Sequence, residues 1–212
     1  MKLYSYFRSS ASFRVRIVLA LKGLGYDYLP IHLVKNEQLS QEFRRLNPDG
    51  LVPVLVDDGA GLTQSLAICE YLEETHPMPA ILPKDPVGRA RVRALALNVA
   101  CEIHPLNNLR VLRYLVKEMG LAEEAKNQWY RHWVEDGLAA FEAELGREHT
   151  PGRFCHGDTP TLADVCLVPQ IFNAKRLECD LSAMPQVMRI FEACMQLEAF
   201  QRAAPDQQPD AA

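Results

Sequence analysis

Four prolines, Pro77, Pro79, Pro83 and Pro86, fall between His76 and Gly88. Each fixes its own φ and lacks an N–H, so neither a helix interior nor a central strand can run through this stretch. The 212-residue chain is therefore read as two domains, 1–80 and 88–212, with the boundary in the proline cluster. With 48% hydrophobic and 24% charged residues, both halves have the material for a core. The 23 basic and 27 acidic side chains leave a net charge of −4, which argues against a general nucleic-acid partner.

Ahead of the prolines the pattern alternates between strand and helix. Lys2 to Tyr6 alternates apolar and polar residues as a strand does, and stops at Arg8-Ser9-Ser10. Phe13, Ile17, Leu21 and Leu24 then recur at helical spacing, with Gly25 expected as the C-cap. Tyr26 to Leu33 reads as a second strand. Val54-Leu55-Val56 and Gly61-Leu62-Thr63 read as a hairpin around Asp57-Asp58-Gly59, followed by a helix over 65–74. The order β-α-β, then β-β-α, predicts a thioredoxin-like α/β domain.

Beyond Gly88 the period is helical throughout, which predicts an all-α second domain. One long helix is expected from Val87 towards Lys117, kinked at Pro105, and another over 123–145. Thr161-Leu162-Ala163-Asp164 has the form of a capping box opening a buried helix. A last helix is expected over 185–200, with a polar tail from Ala203.

The six cysteines include no Cys-x-x-Cys and no short Cys/His pairing, so no metal site is expected. They read as buried, reduced thiols. No run approaches the roughly 18 apolar residues of a membrane span, and nothing indicates export, so a cytoplasmic protein without a membrane partner is expected.

Four places could carry chemistry. Arg8-Ser9-Ser10-Ala11 sits where strand gives way to helix, and a helix N-terminus favours an anion or a thiolate. The same serines could merely cap the helix. Pro53, opening a strand after Val52, would turn the backbone of Val52 outward if its bond were cis, and is otherwise an ordinary strand-start proline. Gln64-Ser65 at the next helix start could hold a carboxylate or an amine, although a capping serine looks the same. Ideal spacing puts His104 and Asn108 on one helix face, with Arg110 pointing elsewhere unless Pro105 distorts the helix. Arg176 looks equally like a surface residue.

Together these pieces resemble a known family. Tyr4-Ser5-Tyr6-Phe7-Arg8-Ser9-Ser10-Ala11-Ser12-Phe13-Arg14-Val15-Arg16-Ile17 resembles the Ser-Ser-Cys signature of zeta-class glutathione transferases, the maleylacetoacetate and maleylpyruvate isomerases. Asn47-Pro48 with Val52-Pro53, the run from Gln64 to Glu74, His104 to Leu109 and Asp164 to Gln170 extend the likeness over nearly the whole chain. The resemblance implies the architecture of the glutathione transferases, a homodimer, and glutathione as a recycled cofactor. It places Ser9 and Ser10 at the thiol, Gln64 and Ser65 at the γ-glutamyl end, Val52 before a cis Pro53 on the cysteinyl backbone, and Gln38, His104 and Asn108 at glutathione-facing positions. Ala11 stands where the signature usually has cysteine, so that cysteine's role is dispensable or absent here.

The implied chemistry is cis–trans isomerisation of a small dicarboxylate keto acid. It builds negative charge beside two carboxylates, for which Arg8, Arg110 and Arg176 are the candidate cations. Maleylpyruvate is favoured over maleylacetoacetate, because extra arginines such as Arg110 suit the shorter dianion. A broad conjugating or dehalogenating transferase is the alternative. A fold retained only as an interaction module would not need the polar pairs Ser9/Ser10, Gln64/Ser65 and His104/Asn108.

Overall fold

The computed structural model describes residues 1–147 and 152–211. They form two compact units, one built from Met1–Ile81 together with the chain from Met195 onward, the other from Leu82–Cys194.

In the first unit, β1 (Lys2–Ser5) lies parallel to β2 (Asp27–Pro30) and antiparallel to β3 (Val54–Asp57), which pairs in turn with β4 (Ala60–Thr63). The strand order is β2-β1-β3-β4. The register sets Leu3 opposite Tyr28 on one side and Leu55 on the other. Leu3 and Leu55 are fully buried. The β3–β4 turn puts Asp58 at φ 49° and Gly59 at φ 83°, the left-handed pair that suits a two-residue hairpin.

Helix α1 (Ser10–Leu21) links the two parallel strands and buries residues on every side, from Ser10 and Ser12 through Leu19. A helix covered all round needs neighbours on each flank. α3 (Ser65–Thr75) is one, and α9 (Glu198–Ala203) is another. α1 stops at Leu21, and Gly23 at φ 64°, rather than Gly25, supplies the left-handed residue beyond its end.

Between β2 and β3 the chain forms two 3₁₀ turns and α2 (Gln41–Leu46), which Ser40 caps by accepting from the Phe43 amide at 3.2 Å. The expected strand from Tyr26 to Leu33 is thus cut to four residues. The proline-rich stretch is tied down by Lys22. Its ammonium lies 2.8 Å from the Glu73 carboxylate and donates to the carbonyls of His76 and Pro79, while Glu73 accepts from the Ile81 amide at 3.1 Å. Val52-Pro53 and Met78-Pro79 are cis.

The chain from Met195 onward packs on this first unit, not with the helices from residue 88 among which the sequence pattern had placed it. The expected 185–200 helix is in fact two, α8 (Pro185–Met195) and α9, separated at Leu197, which is extended at φ −89°, ψ 130°. Nor is the end a free polar tail. Phe200 is fully buried, and Asp210 accepts from the Phe7 amide at 3.1 Å and from the Tyr28 hydroxyl at 2.6 Å.

The second unit opens with α4 (Pro86–Leu97), capped by Asp85, whose carboxylate accepts from the Gly88 amide at 2.7 Å. The helix expected to run on to Lys117 instead passes into a π-helical stretch (Asn98–Ile103) and a 3₁₀ turn (His104–Asn107) before α5 (Leu109–Lys117). Pro105 has no amide with which to continue the ladder, and Asn108, extended at ψ 145°, starts a new helix. The π-helical stretch packs on α6 (Glu123–Gly146). Gly137 makes that possible, because a Cβ there would sit 2.4 Å from Ile103 Cγ1. In α7 (Leu162–Arg176) every residue from Leu162 to Ile171 is buried. Its start is the capping box the sequence announced.

Candidate functional site

In the first unit the candidate residues cluster at the start of α1. Ser9 is its N-cap, with Oγ accepting from the Ser12 amide at 3.2 Å and its carbonyl accepting from Phe13 at 2.8 Å. Ser10 opens the helix and is buried, and Ala11 is half-buried beside it. The capping reading of Ser9 therefore holds. It does not compete with anion binding, since capping uses a lone pair of the Ser9 hydroxyl, which keeps its own proton to donate at the positive end of the helix dipole. Arg8, just before, is exposed, with its guanidinium carbon 4.8 Å from the centre of the Phe7 ring.

The loop bearing these residues is clamped from below. Arg16, 1% exposed, donates to the carbonyls of Tyr6 (3.4 Å), Phe7 (3.0 Å) and Ala203 (2.9 Å) and to Ser5 Oγ (3.2 Å). Burial lowers its pKa to about 10. Asp210 holds the Phe7 amide in addition. The amide and carbonyl of Phe7 and those of Ser9, on either side of Arg8, are thus each anchored.

Val52 and Pro53 are both buried, and the bond between them is cis, as the family likeness implied. Asn47 fixes the preceding loop, donating to the Leu51 carbonyl at 2.8 Å and accepting from the Asp49 amide at 3.1 Å. Gln38 is buried next to this loop. Its carbonyl would lie 3.1 Å from a Cβ at Gly50, which has φ 62°. Gln38 Oε1 is buried with no hydrogen-bond partner among the described residues.

Gln64 occupies φ 66°, ψ 114°, a region that non-glycine residues rarely adopt, and it is exposed. Strain of this kind concentrates at functional positions. Its side chain makes no capping bond, so it is presented outward at the start of α3. Ser65 follows, buried, with Oγ accepting from Arg14 Nη1 at 3.2 Å.

The remaining candidates belong to the second unit. His104 lies in the 3₁₀ turn, whereas Asn108 is the extended N-cap of α5 and accepts from the Arg110 amide at 3.1 Å. The ideal-helix argument that set His104 and Asn108 on one face does not apply, because no continuous helix joins them. Arg110 is exposed in the first turn of α5. Trp129 braces this stretch, its Nε1 donating to the Leu106 carbonyl at 2.9 Å. Arg176 is exposed at the end of α7, close enough to Tyr130 for its charge to oppose the upward pKa shift that burial imposes on that phenol.

Sequence reasoning passed over Arg14 and Asp210. Arg14 had a local signal, a cation inside the apolar run Phe13 to Leu19, and is 2% exposed. Asp210 had none, since its partners lie some 200 residues earlier. The cysteines also need correction: Cys101 is exposed and Cys179 half-buried, while the other four are buried. Among the described residues no group of three or more His, Cys, Asp or Glu could hold a metal, and no helix is long and apolar enough to cross a membrane.

Comparison with known proteins gives the family and the fold. Residues 1–74 match the family model "Glutathione S-transferase, N-terminal domain". The maleylpyruvate isomerase of Ralstonia sp. is 51% identical over 212 residues, covering 100% of both chains. A solved holo structure of maleyl pyruvate isomerase, described as a bacterial zeta-class glutathione transferase, superposes with a TM-score of 0.98 at 51% identity over 100% of both chains. The maleylacetoacetate isomerase of Methylobacterium extorquens AM1, solved with bound malonate and glutathione, gives 0.97 at 43% identity, again over 100% of both.

Proposed function

We propose, from the premise that this chain belongs to the maleylpyruvate and maleylacetoacetate isomerases of the zeta-class glutathione transferases, that it converts maleylpyruvate to fumarylpyruvate. The observation that carries the reading is the start of α1, where the Ser9 cap, the buried Ser10 and the first-turn amides sit on a loop immobilised by Arg16 and Asp210.

The residues fit glutathione. The α1 N-terminus offers fixed dipoles for a thiolate, Ser65 offers a hydroxyl at the start of α3, and the orphaned Gln38 Oε1 offers a buried acceptor for a ligand N–H. When bound, glutathione supplies a thiolate that adds to the cis double bond, allows rotation about the resulting single bond, and is expelled as the trans double bond re-forms. In this reading Ser9 and Ser10 donate to the sulfur, lowering its pKa, beside the Ala11 amide. Val52, ahead of Pro53, offers its backbone to the cysteinyl unit. Gln64 and Ser65 take the γ-glutamyl end, and His104 and Asn108 offer further polar contacts. Asn108 can do so while capping α5, because the cap uses its oxygen and leaves the NH₂ donors.

Arg8, Arg110 and Arg176 provide fixed positive charge for the two carboxylates and for the negative charge that builds on the keto system. The malonate held by the Methylobacterium relative is itself a small dicarboxylate. The reading extends to a homodimer acting in the cytoplasm.

Its test is the loss of ultraviolet absorbance from maleylpyruvate, and separately from maleylacetoacetate, with glutathione far below substrate, beside a chloronitrobenzene control. Many turnovers per glutathione are expected, with kcat/KM higher for maleylpyruvate. A higher kcat/KM for maleylacetoacetate would reassign the substrate. Stoichiometric consumption of glutathione by the aromatic halide, with no isomerisation, would instead identify a conjugating transferase.

A further inference from the structure

Arg14 is an anomaly in the first unit. It is 2% exposed, yet its guanidinium makes one hydrogen bond, from Nη1 to Ser65 Oγ at 3.2 Å. Its Nε and Nη2 are buried with no partner among the described residues. A buried cation with unspent donors is costly, and an apolar side chain of similar volume would pack in its place more favourably. Packing therefore does not explain the charge.

The geometry of Ser65 shows what the charge does. A hydroxyl has one proton and two lone pairs, whereas a guanidinium only donates. Arg14 consumes a lone pair of Ser65 Oγ, so the Ser65 proton has to be directed elsewhere, and among the described residues it is donated to no group. The hydroxyl is thus held as a donor and polarised by the cation behind it. It stands on the first residue of an 11-residue helix, whose N-terminal amides favour negative charge as well. The three features converge on a carboxylate.

We propose that Arg14 is a positioning residue for glutathione: it orients and polarises the Ser65 hydroxyl toward the α-carboxylate of the γ-glutamyl arm, and supplies the buried charge that matches that carboxylate. The proposal rests on the placement of the γ-glutamyl end at Gln64 and Ser65 given above. In the ligand-free protein the charge stays under-solvated, and the bound carboxylate relieves that cost. Arg14 thereby turns an unfavourable burial into ligand affinity.

The experiment compares glutathione with 4-aminobutyryl-Cys-Gly, the analogue lacking only the α-carboxylate, by calorimetric titration of the full-length wild type, Arg14→Met, Ser65→Ala and the double variant. Arg14→Met should weaken glutathione about 10–30-fold, in line with a hydrogen bond to a charged group, and the analogue by less than about threefold. The two losses should be non-additive, the double variant binding glutathione at least about threefold more tightly than the product of the single effects, because Arg14 acts in part through that hydroxyl. The ligand-free Tm of Arg14→Met should stay level or rise, and kcat at saturating glutathione should hold within about twofold while KM rises. Arg14→Lys, which keeps a charge but not the fork, should fall between wild type and Arg14→Met, and it carries the same comparison if Arg14→Met does not fold.

Equal losses for both ligands, or glutathione binding unchanged in Arg14→Met, would overturn the role of Arg14. If Ser65→Ala itself fails to distinguish the two ligands, the γ-glutamyl placement is wrong and this proposal falls with it.

Discussion

Removing the Asp164 side chain tests how the second unit is held together. Asp164 is fully buried, and its carboxylate accepts from the Cys155 amide at 2.9 Å, the Thr161 amide at 2.7 Å and the Thr161 hydroxyl at 2.8 Å. It therefore joins the start of α7 to the segment around Cys155. In Asp164→Ala both amides lose their acceptor inside the core, at about 1–3 kcal/mol each. Part of that is offset because a buried carboxylate is itself costly, as the upward shift of its pKa by burial shows. The net loss should be about 3 kcal/mol. Asp164→Asn keeps one oxygen for Cys155 but turns an NH₂ group toward the Thr161 amide, donor against donor, so about 2 kcal/mol is expected. Urea unfolding followed by circular dichroism should show the midpoint fall by about 1–2 M in the alanine variant at unchanged slope. A loss below about 0.5 kcal/mol, or asparagine proving worse than alanine, would refute this account of the box.

Ser9→Ala should cost about 1 kcal/mol of stability through the lost α1 cap and also raise the pH at which bound glutathione ionises, read by ultraviolet thiolate absorbance, whereas Ser10→Ala should leave the cap intact. Iodoacetamide at pH 8, followed by mass mapping, should modify exposed Cys101 well before Cys179, whose thiol burial pushes to about 11, and before the buried Cys155. Raising the pH should narrow the gap for Cys179 first. Arg176→Ala should lower kcat for a maleyl keto acid by at least about tenfold with the glutathione dissociation constant within about twofold, and unchanged turnover would remove Arg176 from the reaction.

What could be read from the sequence was what short-range patterning controls. β1, α1, the β3–β4 hairpin and the capping box at Thr161 each announce themselves within a dozen residues, through alternation, helical spacing or turn chemistry. α2 gave no such signal, because a six-residue helix that buries only Phe43 has no stripe to detect. The break at Pro105 was expected as a kink, yet it became a change of helix type and a fresh N-cap, which depends on how Ile103 packs against Gly137 and so on a residue 34 positions away. At the site, the serines and Gln64-Ser65 could be found as helix starts. The features on which their proposed role rests were invisible: the strained φ of Gln64, the unpartnered nitrogens of Arg14, and the clamp that Asp210 places on Phe7 from the far end of the chain.

That clamp bears on how the protein is made. Synthesis delivers β1, α1 and the rest of the sheet early, but Phe200, which packs on a flank of α1, and the carbonyl of Ala203 that Arg16 takes follow much later, Ala203 187 residues after Arg16. Until then one side of the most buried helix in the unit lies open while the intervening helices fold, and the Phe7–Arg8–Ser9 loop lacks its last anchor. A chain that stops near residue 195 would carry every residue of the proposed chemistry and still hold the Phe7–Arg8–Ser9 loop loosely, so that the order of that loop waits on residues as late as Asp210.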